Sequence, residues 1–332
     1  MSEQLIDELW RINKFSPNDE QKRAILFDGD SPLFITAAPG AGKTRVLLWR
    51  TVYLIVDKQI SPDKIFLSTF TEKAALQLIE GLKELLGVAS NLTDQKYDLA
   101  RMYVGTIHSN CHRILSDRAF SLDGSKQQVP SIMDELGQYL YIYRSSFWKD
   151  MLDAAGLEDG LETNQMINQF FSSSKLTLNS RSRHYAVVSL IKCFNRLSEE
   201  LADPKSLKSK HPLLHQAYEM YRFYIDSLSQ GPVLLTDLSL VQAEALRAIN
   251  KVSQGGCRFD HVIIDEYQDT NTVQERLVFA LAAGKKNLCV VGDDDQALYR
   301  FRGATVENFV DFPERCRSYY KVDPHTISLH TN

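Results

Sequence analysis

Short runs of apolar and β-branched residues recur along the chain, and each run ends where polar or glycine-containing sequence begins. Runs that are apolar on both faces are typical of strands buried in a parallel sheet. The sequence after the first run instead repeats apolar residues at Leu48, Val52 and Ile55, which is the spacing of one helix face. This alternation predicts an α/β fold with a doubly wound parallel sheet, which binds ligands at the carboxyl ends of its strands. The four runs are Leu33–Thr36, Ile65–Ser68, His261–Ile264 and Leu288–Val291.

A different pattern occupies the middle of the chain, where clear strand runs are lacking and helix formers and aromatic residues are frequent. We interpret this region, 111–231, as a helical subdomain inserted into the α/β domain. Strand-like sequence resumes near Leu234. The predicted organisation is therefore a first part of the α/β domain at 1–110, the insert, and a second part of the α/β domain at 232–332.

Composition and charge narrow the class of protein. The chain has 332 residues, 44% of them hydrophobic and 24% charged, which is typical of a globular protein large enough for two domains. The net charge of −4 gives no overall basic field, so a nucleic-acid site would have to be a local groove. The five cysteines are scattered, so we predict free thiols in a reducing cytosol and neither zinc nor an iron–sulfur centre. We find no signal-peptide core and no run of about 18 apolar residues, so we predict a cytoplasmic protein without a membrane segment.

A glycine-containing string lies between the first predicted strand and the helix that follows. This string, Ala37–Thr44, has the spacing of a phosphate-binding loop, although alanine stands at its first position where the general pattern has glycine. Gly40 and Gly42 allow backbone N–H groups to converge on phosphate oxygens, Lys43 would reach the β- and γ-phosphates, and the Thr44 hydroxyl would bind magnesium. The strand and helix context favours this interpretation over a chance Gly-Lys-Thr turn. The predicted nucleotide-binding residues are Ala38, Pro39, Gly40, Ala41, Gly42, Lys43, Thr44 and, as a weaker candidate, Arg45.

Two adjacent carboxylates follow the third predicted strand. Asp265 would hold magnesium directly or through water, and Glu266 would orient and deprotonate an attacking water. The alternative is that the pair caps the next helix, where Asn271 and Gln274 also suit a capping box. Together with the phosphate loop, the pair favours hydrolysis of ATP with Mg²⁺, with Thr44 and Asp265 as metal ligands.

The sequence Ser16–Asp19 has the form of a helix start. Ser16 can cap the helix, Pro17 fits the first helical position, and Asp19 can reach back as in a capping box. This assignment places Gln21 in the first turn of a helix just upstream of the first strand.

The motifs of this chain together resemble those of the UvrD/Rep/PcrA-type superfamily 1 DNA helicases. Five strings occur in the order of the family's motifs, and the matches run from about residue 16 to 332, with the helical insert much less distinctive. The resemblance implies a RecA-like ATP-binding domain that uses ATP and Mg²⁺ and binds single-stranded DNA and single/double-strand junctions. The strings are Pro17–Gln21 (Q motif), Phe66–Ala75 (motif Ia), Val104–His108 (motif Ib), Asp265–Asn271 (motif II) and Val291–Ala304 (motif III).

The resemblance also implies roles for individual residues. Gln21 would read the adenine edge, because an amide supplies both a donor and an acceptor. Gln296 would sense the γ-phosphate, and Gln268 and Asp269 would help to link the nucleotide and DNA sites. With Lys43, Asp265 and Glu266, Gln296 completes the predicted catalytic set. The implied DNA-binding residues are Thr69, Phe70, His108, Tyr299, Phe301 and Arg302.

Aromatic side chains on a groove floor stack bases without reading sequence, at about 1–3 kcal/mol per base, and a threonine hydroxyl can hold a phosphate. Core packing is the alternative for Phe70 and Phe301. Phe301 stands where the family usually has tryptophan, so we expect it to stack on a DNA base over a smaller area and to bind DNA more weakly. Asp237–Leu238 resembles an Asp-Phe pair that precedes motif II. The basic residues of the insert would line a DNA path or a solvated helix face; they are Lys175, Arg181, Arg183, Lys192, Arg196, Lys205, Lys208 and Lys210.

The last residues, Thr326–Asn332, resemble the opening of motif IV, which in the family continues with a tyrosine and an arginine that contact the nucleotide. A second RecA-like domain would follow. We therefore expect an N-terminal fragment of a longer helicase that binds nucleotide and DNA weakly. It should hydrolyse ATP very poorly by itself, because an arginine in phosphoryl transfer contributes roughly 10³–10⁵ in rate.

The function implied by the resemblance is ATP-driven 3′-to-5′ translocation on single-stranded DNA with duplex unwinding. One alternative is the motor part of an ATP-dependent helicase–nuclease. Another is a non-catalytic nucleotide- and DNA-binding module. A generic P-loop kinase is disfavoured, because motifs Ia, Ib and III would have no purpose there.

Overall fold

A computed structural model of the protein describes residues 2–121, 129–171, 181–202, 211–252, 258–293 and 306–330. Its main sheet has six strands in the order β3-β2-β6-β7-β1-β8, and every pair of neighbours is parallel. A second sheet contains two parallel strands, β4 and β5. The strands are β1 Leu33–Ala37, β2 Ile65–Thr69, β3 Tyr103–Thr106, β4 Ser131–Met133, β5 Leu235–Asp237, β6 His261–Ile264, β7 Leu288–Gly292 and β8 His325–Leu329.

The chain divides into two compact units, Met1–Arg113 with Ala248–Asn332, and Ile114–Arg247. The first unit contains the six-stranded sheet and the second contains the two-stranded sheet. None of the described helices is long and apolar enough to span a membrane. The helices are α1 Ser2–Ile12, α2 Asp19–Leu26, α3 Lys43–Val56, α4 Glu72–Thr93, α5 Ile107–Ser116, α6 Glu135–Tyr143, α7 Ser145–Ala154, α8 Leu161–Phe171, α9 Arg183–Glu199, α10 Pro212–Leu228, α11 Leu240–Val252, α12 Thr272–Ala282, α13 Val306–Val310 and α14 Phe312–Tyr320.

The four apolar runs of the sequence form β1, β2, β6 and β7, which are the four central strands of the main sheet. The predicted α/β fold with a parallel sheet is therefore confirmed. Apolar residues of these strands, such as Ile35, Leu67 and Ile263, are fully buried against helices α3 and α4. Because β6, β7 and β1 are neighbours, the chain segments that leave their carboxyl ends emerge side by side.

The second unit is mainly helical and packs around large buried aromatic residues, among them Trp148 and Tyr224. The expectation that residues 111–231 lack strands is wrong at β4, which pairs with β5 in the register Ser131↔Leu235. The strand-like sequence near Leu234 is therefore a strand, but one that lies outside the main sheet. Three-residue strands are too short to show a hydrophobic period, so the sequence pattern could not reveal this pairing.

The N-terminus of α2 differs from its prediction. The helix begins at Asp19, and its cap is Asn18, with Ser16 and Pro17 preceding it. The Asn18 side chain accepts from the backbone N–H of Gln21 at 2.8 Å, and the Gln21 side chain accepts from the backbone N–H of Asn18 at 3.2 Å. The Ser16 cap is thus wrong, because a glutamine three residues after Asn18 closes a complete capping box two residues further on. Gln21 does lie in the first turn, as predicted.

The C-terminus of α2 is held by a buried arginine of α3. Arg50 is only 4% exposed. Its guanidinium Nη1 donates to the carbonyl oxygens of Ala24 at 3.1 Å, Ile25 at 3.3 Å and Phe27 at 2.9 Å. The last carbonyls of a helix have no partner within it, so Arg50 supplies the donor that they would otherwise lack. This contact fixes α2, and therefore Gln21, relative to α3 and the phosphate loop at its N-terminus.

We expect the substitution Arg50→Met to lower the free energy of unfolding by about 3 kcal/mol, because it leaves buried carbonyls without a donor. Urea denaturation followed by circular dichroism measures this change. The matched control is Arg11→Met, because Arg11 is an exposed arginine of α1 whose removal should change the free energy by less than about 0.5 kcal/mol. Equal stability of the two variants would contradict the capping role.

Candidate functional site

The predicted phosphate loop connects β1 to α3. Strand β1 ends at Ala37, and α3 begins at Lys43 with Gly42 as its cap. Gly40 and Gly42 have φ angles of 81° and 82°, in the left-handed region that favours glycine. Because glycine carries no capping side chain, the first N–H groups of α3 stay available to phosphate oxygens. Thr44 and Arg45 are exposed at this end of the helix. The loop therefore has the backbone geometry of an anion site.

Gln21 lies directly against this loop. Its Nε2 donates to the carbonyl oxygen of Ala41 at 3.2 Å, and a Cβ added at Gly42 would lie 3.2 Å from the same Nε2. With its Oε1 bonded to Asn18, Gln21 has both ends of its amide on backbone groups, and it is 4% exposed. Reading adenine would require the amide to share or exchange one of these bonds. That role stays a prediction.

Arg45, the weaker nucleotide candidate, lies beside an aromatic cluster. Its guanidinium carbon is 5.0 Å from the centre of the Phe15 ring, and Phe15 stacks on Trp49 with ring centres 5.3 Å apart. A guanidinium over a ring face is held by a cation–π attraction. Arg45 is therefore oriented at the start of α3, and its contact with nucleotide stays a prediction.

The two carboxylates that follow β6 meet the phosphate loop. Asp265 is 4% exposed, and its backbone N–H donates to the carbonyl oxygen of Ser68 at 2.8 Å. The Nζ of Lys43 lies 3.5 Å from Oε2 of Glu266. Burial and the neighbouring Glu266 charge raise the pKa of Asp265 to about 7, while the Glu266 N–H and the Lys43 charge oppose that shift. The lysine and the acid pair thus lie within one site.

The Asp265 and Thr44 oxygens suit magnesium by their chemistry. Mg²⁺ takes hard oxygen ligands and is usually held by one or two carboxylates together with substrate phosphates. Burial and the neighbouring Glu266 charge raise the pKa of the Asp265 carboxyl, and a divalent cation bound there would stabilise its ionised form. The Asp265 and Thr44 oxygens therefore fit the predicted Mg²⁺. Among the residues the structure describes, no cluster of three or more His, Cys, Asp or Glu side chains offers a second kind of metal site.

The capping alternative for the acid pair is excluded by the start of α12. Asn271 caps this helix, with its side chain accepting from the Gln274 N–H at 3.0 Å. The Gln274 side chain accepts from the Asn271 N–H at 3.2 Å. The helix therefore has a complete capping box of its own. Asp265 and Glu266 precede it and do not cap it.

Sequence reasoning missed Asp293 as a member of this site. Asp293 directly follows β7, is fully buried, and places Oδ2 at 3.5 Å from Nζ of Lys43. Gln268 joins the two acids that contact Lys43: its Nε2 donates to Oε2 of Glu266 at 2.7 Å, and its Oε1 accepts from the Asp293 N–H at 3.2 Å. A carboxylate directly after a buried strand is the same signal that identified Asp265. Applied to the fourth apolar run, it would have identified Asp293.

Gly292 permits this arrangement by its lack of a side chain. A Cβ added at Gly292 would lie 2.6 Å from Oε1 of Gln268 and 2.3 Å from a ring carbon of Phe309. Both distances are shorter than real contacts allow. Glycine at this position therefore lets Gln268 approach the end of β7.

Three predicted DNA-binding residues lie in the described part of the chain. Thr69 ends β2 and is 1% exposed, and its hydroxyl has no hydrogen-bond partner among the described residues. Phe70 follows it and is half-buried. His108 is half-buried in the first turn of α5, and burial lowers its pKa. Because Thr69 pairs with Thr106 across β2 and β3, these residues lie at the same edge of the sheet. Gln296, Tyr299, Phe301 and Arg302 lie outside the described residues.

The Asp237–Leu238 pair has a structural explanation in the second unit. Asp237 is 3% exposed and accepts from the Tyr224 hydroxyl at 2.9 Å. It also accepts from the backbone N–H groups of Ser239 at 2.9 Å and Leu240 at 2.7 Å, where α11 begins. Asp237 therefore caps α11, while Leu238 is 42% exposed.

The basic residues of the insert are described in part. Lys175, Lys205, Lys208 and Lys210 lie outside the described residues. Arg183 pairs with Asp159 at 3.1 Å and Arg196 pairs with Glu200 at 2.9 Å, and both pairs are partly exposed. Exposed pairs of this kind contribute little to stability.

Comparison with known proteins gives a family model and named relatives that match most of the chain. The model of the UvrD/REP helicase N-terminal domain family matches residues 17–317. ATP-dependent DNA helicase UvrD1 of Mycobacterium tuberculosis is 31% identical over 329 residues, covering 95% of this chain and 37% of that protein. ATP-dependent DNA helicase PcrA of Staphylococcus epidermidis is 30% identical over 301 residues, covering 90% of this chain and 36% of that protein.

The chain thus spans a little over a third of the length of these relatives. The resemblance read from the motifs is confirmed, since the matched residues 17–317 include all five strings. The residues that resemble the opening of motif IV, Thr326–Asn332, lie beyond the match. The chain belongs to the UvrD/REP helicase N-terminal domain family.

Proposed function

We propose that this chain supplies the ATP-hydrolysing site and part of the DNA track of an ATP-dependent DNA helicase. The observation that carries the proposal is the 3.5 Å approach of the Lys43 ammonium to the Glu266 carboxylate, which unites the phosphate loop with the acid pair. The relatives carry the name ATP-dependent DNA helicase, which agrees with this chemistry. We also propose that the two compact units are separate domains, an ATP-binding domain and an inserted helical domain.

Hydrolysis needs a cation beside the phosphates and a base beside the attacking water. In the proposed mechanism Lys43 would bind the β- and γ-phosphates, and Thr44 and Asp265 would hold Mg²⁺, whose charge would offset that of the phosphate oxygens. Oε2 of Glu266 is already held by Gln268 at 2.7 Å and Lys43 at 3.5 Å. The other oxygen, Oε1, is therefore the atom we assign to accept the proton of water. The Glu266 side chain is 30% exposed, so water can reach it.

The proposed DNA contact, Thr69, is next in sequence to Ser68, whose carbonyl oxygen accepts from the backbone N–H of Asp265. Thr69 lies at the end of the same strand, β2. A shift of Asp265 during hydrolysis would therefore be transmitted through β2 to Thr69 and Phe70. Together with His108, which follows the neighbouring strand β3, Thr69 and Phe70 form the part of the proposed DNA site that lies within the described residues. Single-stranded DNA fits this proposal because stacking and phosphate contacts do not need base pairing.

The test is ATP hydrolysis by the full-length protein with Mg²⁺, with and without an oligothymidine. We expect the oligonucleotide to stimulate hydrolysis, since the two sites share β2 and β6. Nucleotide binding without hydrolysis in either condition would instead identify a non-catalytic binding module. Displacement of strands from substrates with a 3′ or a 5′ overhang then measures direction, for which we propose 3′-to-5′ movement.

A further inference from the structure

We propose that Asp293 is a further functional residue of the nucleotide site, a buried counter-ion of Lys43 that competes with nucleotide phosphates and thereby limits how tightly nucleotide binds. The inference rests on the proposed function, because it takes Lys43 as the phosphate-binding cation. It adds to the site a residue whose proposed role is to oppose nucleotide binding.

The geometry places two acids on one ammonium. Nζ of Lys43 lies 3.5 Å from Oε2 of Glu266 and 3.5 Å from Oδ2 of Asp293. The Glu266 side chain is 30% exposed, whereas that of Asp293 is 0% exposed. Water screens the first pair more than the second, so the attraction between Lys43 and Asp293 is the stronger of the two.

A phosphate that binds Lys43 enters the field of Asp293. A carboxylate 3.5 Å from the ammonium attracts Lys43 and so competes with an incoming phosphate for this cation, which weakens nucleotide binding. Glu266 exerts a similar field, but it is needed as the base. The proposed mechanism gives Asp293 no part in the hydrolysis step. We therefore assign to its charge the control of the affinity for nucleotide.

Asp293 is connected to the proposed base, Glu266, through Gln268, and this connection does not use the Asp293 carboxylate. The backbone N–H of Asp293, and not its side chain, bonds Oε1 of Gln268, which in turn holds Glu266. The substitution Asp293→Asn therefore removes the charge while keeping the shape of the side chain and the path to Glu266. This separation makes the counter-ion role testable.

We expect Asp293→Asn to lower the dissociation constants of Mg–ADP and of a non-hydrolysable ATP analogue by about tenfold, or about 1.4 kcal/mol. Isothermal titration of the full chain measures both constants. In steady-state hydrolysis KM for ATP should fall while kcat does not rise, because tighter binding also holds the product ADP. A purely structural role predicts the opposite sign, since a damaged site binds nucleotide more weakly.

The matched control is Glu275→Gln. Glu275 is a buried acid of the same unit, 3% exposed and paired with Arg315 at 3.2 Å, but it belongs to α12 and not to the site. This variant should leave both dissociation constants within about twofold of wild type. Asp293→Ser serves as a second, smaller neutral variant and should also bind more tightly. If neither Asp293 variant folds, the acid is structural and the inference is overturned.

The substitution Lys43→Met distinguishes the mechanism of the effect. If Asp293 acts by competing for Lys43, Asp293→Asn should change the affinity by less than twofold in the Lys43→Met background. A tenfold effect that persists there would show direct repulsion of phosphate and overturn the counter-ion role. If wild type binds and Lys43→Met weakens binding, but Asp293→Asn does not tighten it, this inference alone fails. If wild type binds no nucleotide at all, the proposed function fails as well.

Discussion

Replacement of Lys43 by alanine should abolish ATP hydrolysis in the full-length protein while leaving the binding of single-stranded DNA largely intact. Lys43 begins α3 at the phosphate loop, with its ammonium 3.5 Å from Glu266 and from Asp293. Without this cation the two acids would face the nucleotide phosphates uncompensated, so nucleotide binding is weakened and charge stabilisation in the transition state is lost. We expect a loss of at least about 10³-fold in turnover, by comparison with other charge-stabilising residues in phosphoryl transfer.

DNA binding should survive because its proposed residues belong to other strands. Thr69 ends β2, and His108 follows β3, whereas Lys43 follows β1. Release of inorganic phosphate measures turnover, and fluorescence anisotropy of a labelled oligothymidine measures DNA binding. The matched control is Lys58→Ala, because Lys58 lies just beyond the other end of α3 and pairs with Asp28. Turnover near the wild-type rate in Lys43→Ala would refute the phosphate-loop assignment.

The central strands could be predicted from the sequence because they are buried on both faces. Strands β2 and β7 are buried at every position, so their sequences read as continuous apolar runs. Strand β8 is an edge strand in which only Ile327 and Leu329 are buried, and its pattern is correspondingly weak. The pairing of β4 with β5 joins segments far apart in the sequence, and no local pattern encodes such a contact.

The candidate site could be predicted where a motif follows a strand, as it does at Lys43 and Asp265. The contacts among these residues could not, because they depend on the strand order β6-β7-β1 and on the approach that Gly292 permits. Asp293 joins the site for this reason. The cap of α2 shows the local limit, since Ser16 and Asn18 are both acceptable caps by residue type. The glutamine at position 21 decides between them by closing the box with Asn18.

The backbone of Glu266 adds a second expected effect of large size. Glu266 has φ 51° and ψ 46°, in the left-handed region, which costs a residue with a Cβ about 1–2 kcal/mol. Such strain occurs at functional sites, where the surrounding structure enforces it. Here the position between β6 and the short 3₁₀ turn Tyr267–Asp269 aims the carboxylate at Lys43 and Gln268.

The matched pair Glu266→Ala and Glu266→Gly separates the chemistry of this residue from its strain. Both variants remove the proposed base, so both should lose about 10²–10⁴-fold in turnover. Alanine normally stabilises a protein relative to glycine by restricting the unfolded chain, but only where φ is negative. At a left-handed position the order should reverse, and the free energy of unfolding of Glu266→Gly should be about 1 kcal/mol higher than that of Glu266→Ala. Urea denaturation of the two variants measures the difference. If the alanine variant is the more stable, Glu266 is not held in the left-handed conformation. If either variant keeps wild-type turnover, Glu266 is not the base.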